Sequence, residues 1–499
     1  MQLRLFRHFV PVSVVLLITS DAVLITAAFY QMLSQSNASS AQIFGVASFP
    51  AQLAAGLSLA AIIAMVSIGL YGPQSFIDFR LLLSRVAVAF VIVLMLVVIS
   101  AAYWREGLQR LPDATTLPLK AALLWLGCIL LTRATFLVTL GRGLLRRRVV
   151  VLGNGTKAAR IANLVAAGEN HHFVPVSFVR MPGERGLPII QTREATRTNE
   201  ATPTREATQT RDLVEGRETG EARDWAAAEP GALADLGCRL GASEIVVATD
   251  ERRGLPVHQL LHCKMTGIRI TDFLDFWERE TRTVDLEALR PAWLFYSDGF
   301  RCGITDAFLK RSFDITVSLA LLIFSLPLLV ATACLIKAES AGPVFYRQDR
   351  IGLHGRVFTI FKFRSMRADA ERDGNPVWAA KRDPRVTYVG AVIRKLRIDE
   401  LAQILNVLRG DMSFVGPRPE RPYFVDGLSR IIPYYAERHW VRPGITGWAQ
   451  INYPYGASTE DSRRKLAFDL YYVKNHSIFL DFLILLQTAR VIFWNHGAR

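Results

Sequence analysis

Two adjacent carboxylates, Asp399 and Glu400, head the stretch "IDELAQILNVLRGDMSFVGPRPE", Ile398–Glu420, which closes on Arg418 between two prolines. Ile398, Leu401, Leu405 and Leu408 recur at helical spacing, so the segment reads as an amphipathic helix that ends at Gly410. Neighbouring residues on a helix point about 100° apart, so the two acids cannot share the apolar stripe. At least one projects from the helix start, where the dipole and free N–H groups favour anions such as phosphate. Taken alone, the pair reads as a solvated acidic first turn, which helices commonly carry. What surrounds it has to decide between a surface and a site.

At 499 residues the chain is long enough for about three domains. Four apolar stretches fill its first third: Val10–Tyr30, Ala51–Tyr71, Val86–Tyr103 and Ala121–Leu140. Each approaches the roughly 20 residues that cross a bilayer as a helix, and the first is followed too closely by three more to be a cleaved signal peptide. Arg4 and Arg7 precede the first span, Arg80 and Arg85 lie between the second and third, and Arg142, Arg146, Arg147 and Arg148 follow the fourth. The stretch Gln31–Pro50 is uncharged, and the loop around Arg105 and Arg110 weakens the bias without reversing it. Positive charge marks the inner side, so the remainder of the chain starts in the cytoplasm. The net charge of +15 calls for an anionic partner, and beside four spans lipid headgroups and phosphorylated substrates fit better than nucleic acid. Cys128, Cys238, Cys263, Cys302 and Cys334 show no paired short spacing, which is neither a disulfide framework nor a zinc site.

"VVVLGNGTKAARIANLV", Val149–Val165, has the strand, glycine turn and helix order of a Rossmann half, with Gly153, Gly155 and Ala158 at the small positions. A second strand, Phe173–Val179, follows, but Arg180 stands near where an acid would hold a dinucleotide ribose. The glycines are therefore read as permitting a tight turn. From Gln191 to Glu229 the composition shifts to Thr, Arg, Glu and Ala, with "REAT" at Arg193–Thr196 and again at Arg205–Thr208; this predicts a disordered surface insertion. Strands at Ser243–Asp250 and near Gly267–Thr271 complete an α/β domain ending around Phe300.

A fifth apolar run, Ile315–Ile336, has the length of a span. Lys310 and Arg311 before it and Lys337, Arg347 and Arg350 after it put the inner-side signature at both ends. Pro327, close behind Ser325, removes a backbone donor in mid-run. The combination predicts a helix-hairpin, broken at Ser325 and Pro327, that enters the inner leaflet and returns.

Beyond it lie "GPVFYRQDRIG" (Gly342–Gly352), "FTIFKFRSM" (Phe358–Met366), "IRKLRIDELAQILNVLRGDMSFVGPRPE" (Ile393–Glu420) and "VRPGITGWAQINY" (Val441–Tyr453). These motifs, in this order, resemble the bacterial polyprenyl-phosphate glycosylphosphotransferases, or monotopic phosphoglycosyl transferases, in their long form. "INYPYGAS" (Ile451–Ser458) and "ALRPAWLFYSDGF" (Ala288–Phe300) are similar to a subgroup associated with exopolysaccharide clusters and exosortase sorting systems. The resemblance covers essentially the whole chain except the insertion. It implies a multi-domain membrane protein of the bacterial inner membrane with its catalytic part facing the cytoplasm. Residues 1–145 would form a four-helix transmembrane bundle, 146–300 a Rossmann-like α/β domain, and 301–499 a mainly α catalytic domain carrying the re-entrant hairpin at 315–336.

The activity implied is transfer of a sugar-1-phosphate from a UDP-sugar to polyprenyl phosphate, releasing UMP, as the first membrane step of exopolysaccharide assembly. The family's nucleophilic Asp maps onto Asp399, forming an acyl phosphosugar, and its partner acid onto Glu400, assigned here to holding Mg²⁺. Arg418, Arg394 and Lys362 are the candidate phosphate-gripping cations, and Trp448 and Gln450 the candidate lining of the sugar or uridine pocket, with Trp448 equally readable as a core residue or an interfacial anchor. Relatives commonly have a small hydroxyl residue at Arg397, Leu at Ile398 and Pro at Ala402, and place Pro directly after Ser where Leu326 intervenes. The C-terminal Ser477–Trp494 reads as an apolar-faced helix suited to lie on a membrane.

Two other readings remain open at this level. A membrane nucleotide-sugar dehydratase or epimerase could share the front half, but needs a nicotinamide cofactor and a Tyr-x-x-x-Lys pair that the sequence lacks. A non-enzymatic membrane scaffold would leave Asp399 and Glu400 as a solvated turn. No motif names the sugar or gives the α/β domain a ligand, and a homodimer fits without any residue requiring it.

Overall fold

A computed structural model of the chain describes residues 2–5, 7–35, 49–72, 79–103, 117–141, 146–167, 173–181, 229, 231–296, 299–300, 303–367, 385–453, 456 and 458–494. The expected insertion lies outside the described residues apart from Glu229, as do residues 36–48 of the uncharged stretch and the loop holding Arg105 and Arg110. Two compact units divide the chain: one takes Phe136–Trp293, the other Val14–Thr135 with Leu294–Arg499, and short N-terminal pieces go to each.

Among the described residues five helices are long and apolar enough to cross a membrane: α1 (Val12–Gln35), α2 (Phe49–Ile68), α3 (Phe79–Tyr103), α4 (Leu117–Gly141) and the later Ile304–Glu339. Large apolar side chains such as Val23, Leu59, Val91 and Leu130 face outward, the pattern of a surface that meets lipid rather than water. Arg80 and Arg85, placed between spans from the sequence, are instead in α3, and buried Arg85 donates to the Gly69 carbonyl at 3.0 Å. A guanidinium that satisfies the carbonyls ending the preceding helix has a reason to leave the loop. Inside the apolar helices, Asp21 of α1 and Arg133 of α4 form a buried ion pair at 3.1 Å, and the Tyr71 hydroxyl donates to the same Asp21 oxygen at 2.8 Å. Buried charge is tolerated in such a setting when it is paired.

After two short N-terminal strands, β1 (Gln2–Leu5) and β2 (His8–Pro11), the α/β unit is built on a four-stranded parallel sheet of order β4-β3-β5-β6, where β3 is Arg147–Leu152, β4 Phe173–Val179, β5 Glu244–Val247 and β6 Arg269–Asp272. Central β3 ends in "VVVL", fully buried, as a parallel strand covered on both faces must be. Val150 and Leu152 pack on one side with Leu233 and Cys263, while Val149 and Val151 pack on the other with Ile161, Phe273 and Phe276. These partners come from α5 (Thr156–Ala166), α6 (Ala232–Arg239), α7 (Val257–Met265) and α8 (Phe273–Thr281). Gly153 (φ 130°) and Gly155 are needed for close approach: a Cβ would stand 2.7 Å from the Ala248 carbonyl oxygen and 2.2 Å from Asp250 Oδ2. The start of α5 is already satisfied from within. The Asp250 carboxylate accepts from the Thr156 N–H at 2.8 Å, the Thr156 hydroxyl at 2.8 Å and the Lys157 N–H at 3.3 Å.

The second unit continues with α9 (Ile304–Glu339), the antiparallel hairpin β7 (Phe345–Ile351) and β8 (Val357–Phe363), and α10 (Tyr388–Lys395). A 3-10 turn, Ile398–Gln403, leads into α11 (Ile404–Arg409), and the parallel strands β9 (Ser413–Val415) and β10 (Gly444–Thr446) flank a loop and helix. α12 (Trp448–Asn452), α13 (Thr459–Asn475) and α14 (Ile478–Trp494) close the unit. Leu480 and Ile484 of α14 are buried and the helix packs against α2, so its apolar face meets protein. α9 keeps helical backbone through Ser325 and Pro327, where a break was expected, and Ser325 Oγ donates to the Leu321 carbonyl at 2.6 Å. A proline in mid-helix and a serine bonded back to the preceding turn are both sources of a bend, so they can turn the helix without interrupting it.

Candidate active site

The segment bearing Asp399 and Glu400 departs from the helix expected of it. Both acids lie in the 3-10 turn, entered through Arg397 in the left-handed region (φ 58°, ψ 18°), a conformation that costs a side-chain-bearing residue about 1 kcal/mol or more. The buried stripe runs through Ile398, Ala402, Ile404 and Val407, while Leu405 is exposed. Both acids are buried, 9% exposed each, where a solvated first turn would leave them open. Asn406 pins this segment to the edge of β8: its Oδ1 accepts from the Phe361 N–H at 3.0 Å and its Nδ2 donates to the Thr359 carbonyl at 2.8 Å. A fully buried amide thus does the work of a neighbouring strand. On the other side, Thr387 caps α10, Glu339 accepts from the Val389 N–H at 3.1 Å, and Gly390 lets α10 lie against Ser365, where a Cβ would be 2.0 Å from a carbonyl oxygen.

That anchoring sets Glu400 against three cations. Its Oε1 accepts from Arg418 at 2.6 Å and stands 3.5 Å from Lys362 Nζ, and its Oε2 is 3.8 Å from Arg397. Lys362 arrives from β8 and Arg418 from the loop after β9, whose backbone is fixed by buried Arg438: one Nη2 bonds both the Arg418 carbonyl at 3.0 Å and Asp469 at 2.8 Å. Asp399 accepts no hydrogen bond and joins no ion pair among the described residues. A small pocket opens beside the pair, lined by Arg350, Ile360, Lys362, Gln403, Arg418, Pro419 and Gly444.

The electrostatics separate the two acids. Burial raises the pKa of Asp399, the Glu400 charge adds to it, and Lys362, Arg418 and Arg394 offset only part. Burial pushes Glu400 the same way, but Arg418 and Lys362 outweigh it and hold this carboxyl below the usual carboxylate range. Lys362 is lowered, first by burial, against the pull of Glu400. One acid is a neutralised anchor for cations and the other is left with its oxygens unengaged.

Of the expected site residues, the structure brings together Asp399, Glu400, Lys362 and Arg418. Arg394, half-buried in the last turn of α10, acts on Asp399 through its charge without an ion pair among the described residues. Trp448 is a correction: it is 2% exposed, with its ring edge-on to His8 at 5.5 Å and near Tyr471 at 5.9 Å, so it packs in the core rather than lining a pocket. Gln450 turns inward as well, its Nε2 donating to the Ile445 carbonyl at 3.1 Å within its own loop. Sequence reasoning passed over Arg350 and Gln403 as pocket lining. Alternation in "YRQDRI" carried the signal, because Tyr346, Gln348 and Arg350 face the same side of the hairpin as Phe358, Ile360 and Lys362.

No group of three or more His, Cys, Asp or Glu residues able to hold a metal occurs among the described residues. Mg²⁺ seldom needs one, since it is usually held by one or two carboxylates together with substrate phosphates and water. Unengaged Asp399 and the second oxygen of Glu400 fit that shared kind of site.

The bacterial sugar transferase family model matches residues 305–495. Over 194 residues the chain is 54% identical to the UDP-N-acetylgalactosamine-undecaprenyl-phosphate N-acetylgalactosaminephosphotransferase of Aeromonas hydrophila, which is 39% of this chain and 45% of that relative. Over 190 residues it is 45% identical to the undecaprenyl-phosphate glucose phosphotransferase of Komagataeibacter xylinus, 37% of this chain and 36% of the relative. In both, the match spans less than half of the relative's length. It is 43% identical over 189 residues to the uncharacterized sugar transferase EpsL of Bacillus subtilis, 38% of this chain but 89% of that shorter protein.

Proposed function

Since the chain belongs to the bacterial sugar transferase family, we propose that it is a membrane enzyme transferring a sugar-1-phosphate from a UDP-sugar to polyprenyl phosphate and releasing UMP. The observation that carries the reading is the division of labour between the acids: an unengaged, buried Asp399 next to a Glu400 already neutralised by Arg418 and Lys362. Relatives named for undecaprenyl phosphate and for glucose or N-acetylgalactosamine support the substrate class without choosing the sugar.

In the proposed route an Asp399 oxygen attacks the phosphorus bearing the sugar, its bond to the UMP oxygen breaks, and UMP leaves. A lipid phosphate oxygen then attacks the same phosphorus and displaces the Asp399 carboxylate, restoring it. Two displacements at one phosphorus predict ping-pong kinetics. Arg418 and Lys362 hold phosphate oxygens, so that an anion can approach an anion, and Arg394 adds charge near Asp399. Mg²⁺, held by Glu400 with Asp399 near it, would neutralise charge on the diphosphate when bound.

On this reading α1–α4 form a four-helix transmembrane bundle, the α/β unit is Rossmann-like, and α9 enters the inner leaflet so that the site faces the cytoplasm at headgroup level. Cations at both ends of the apolar part of α9 support it, although Arg311 also caps α11 through the Leu408 carbonyl at 2.8 Å. The test is UMP release by the purified full chain with Mg²⁺, undecaprenyl phosphate and a panel of UDP-sugars. One donor giving lipid-dependent release that falls at least about a thousandfold in Asp399→Asn supports the reading. A folded wild-type protein that releases no UMP with any donor, or an Asp399→Asn variant as active as wild type, overturns it.

A further inference from the structure

The pocket beside Glu400 holds a third cation that the reaction as proposed above does not use. Arg350 sits near the end of β7, opposite Phe358 and on the hairpin face that also presents Lys362. Two of its three nitrogens are committed to protein: Nη1 donates to the Pro419 carbonyl at 3.0 Å and Nη2 to Gln348 Oε1 at 2.6 Å. The third, Nε, is buried and has no hydrogen-bond partner among the described residues. A buried guanidinium N–H without an acceptor is costly. It persists where something else supplies the acceptor.

Charge points the same way. Burial lowers the Arg350 pKa, and Arg418 and Arg421 lower it further against the pull of Glu420, whose nearest oxygen is 3.7 Å away. Arg350, Lys362 and Arg418 line one small pocket within one another's field, and the single charge of Glu400 offsets only part of the latter two. A cluster of like charges around a cavity is stabilised by a ligand bearing more than one negative charge.

We propose that Arg350 is a further substrate-binding residue of this site, gripping an oxygen of the donor's diphosphate through its Nε–H. The assignment rests on the sugar-phosphate transfer reading. It makes Gln348 and the Pro419 carbonyl positioning groups, which fix the orientation of the guanidinium.

The competing role is purely structural: Arg350 would tie β7 to the segment after Arg418, which the Ile351 N–H also reaches through the Glu420 carbonyl at 3.0 Å. Binding of UDP and of uridine separates the two, because only UDP carries the charge. Titration of the full chain in detergent with each ligand, for wild type, Arg350→Gln and Arg350→Lys, is the experiment. Expected for Arg350→Gln is UDP affinity lower by roughly 10- to 100-fold, the worth of a charge-assisted hydrogen bond, with uridine affinity within about twofold. Arg350→Lys keeps the charge without the fork and falls between them, and it serves as the readout should the neutral variant not fold. UDP and uridine affinities falling in parallel, or UDP binding unchanged, overturns the proposal, as does a wild type that binds no UDP.

Single-turnover UMP release without lipid, followed by discharge with polyprenyl phosphate, distinguishes the two sources of phosphate. Slowing confined to the lipid step would move Arg350 to the acceptor and overturn the donor assignment. Failure of the parent reading looks different: a wild type that binds UDP but releases no UMP from any sugar donor leaves the UDP-to-uridine ratio to decide Arg350 alone.

Discussion

Two places in this molecule set an acidic side chain next to the kind of feature that binds phosphate, and they have opposite outcomes. In the α/β unit the glycine turn after β3 and the start of α5 have the form of a dinucleotide-phosphate cradle, yet Asp250 fills it with three hydrogen bonds. Beyond β8, Lys362 and Arg418 converge on Glu400, leaving Asp399 unengaged and a pocket open. Shape alone is the same promise in both. What differs is whether the protein supplies the anion itself.

The sharpest way to break this contrast is at Arg418. Arg418→Gln removes the closest partner of Glu400 and a proposed phosphate contact together, so UMP release should fall by about two to three orders of magnitude. Arg418→Lys should recover little, since an ammonium cannot present the planar fork. Steady-state UMP release with the donor identified above checks it, and a variant retaining a tenth of the wild-type rate would mean that the cations near Glu400 are ornamental.

A smaller effect tests whether the scaffold behind Arg418 matters as the contrast requires. His439 follows Arg438 in the turn that fixes the Arg418 backbone; burial and the Arg438 charge lower its pKa to about 4, against a weaker opposing hydrogen bond to the Ala436 carbonyl. The folded state therefore favours neutral histidine and the unfolded state binds more protons below about pH 6.5. Stability should be fully present above pH 6.5 and decline as pH falls toward about 4, by up to about 3 kcal/mol. Thermal unfolding across that window should show the decline in wild type and a flatter profile in His439→Gln; identical profiles would count against a neutral buried histidine.

How much of this was legible beforehand depended on distance along the chain. Asp399, Glu400, Lys362 and Arg418 were visible as residue types, but not that Lys362 and Arg418 come from 38 and 18 positions away to bury Glu400. Trp448 misled because an aromatic residue has the same signature in a pocket wall as in a core, and only the neighbours His8 and Tyr471 tell them apart. Pro327 was read as a break, and helical backbone continues through it, since a proline can bend a long helix without ending it. The parallel sheet was readable from its apolar runs and glycine turn. Asp250 as the occupant of that turn was not, since it lies 94 positions from Thr156.

The smallest expected effect completes the contrast. Asp250→Ala removes the acceptor for the first N–H groups of α5 and should cost about 1–2 kcal/mol of stability while leaving UMP release unchanged. If the carboxylate stands in for a phosphate, millimolar inorganic phosphate should raise the Tm of the Asp250→Ala variant and leave wild type unmoved. Equal responses in both proteins would remove the parallel between the two regions.

The hydrogen bond between His8 and Tyr471, 2.9 Å long and spanning 463 positions, has a consequence in time. At the usual rate of about 5–20 residues per second, His8 is made roughly 20 to 90 s before Tyr471. The aromatic nest of Trp448, Tyr471 and His8 thus cannot close until Tyr471 has been added. Until then the segment ahead of α1 lacks its Tyr471 partner, so this unit joins parts of the chain made at widely separated times.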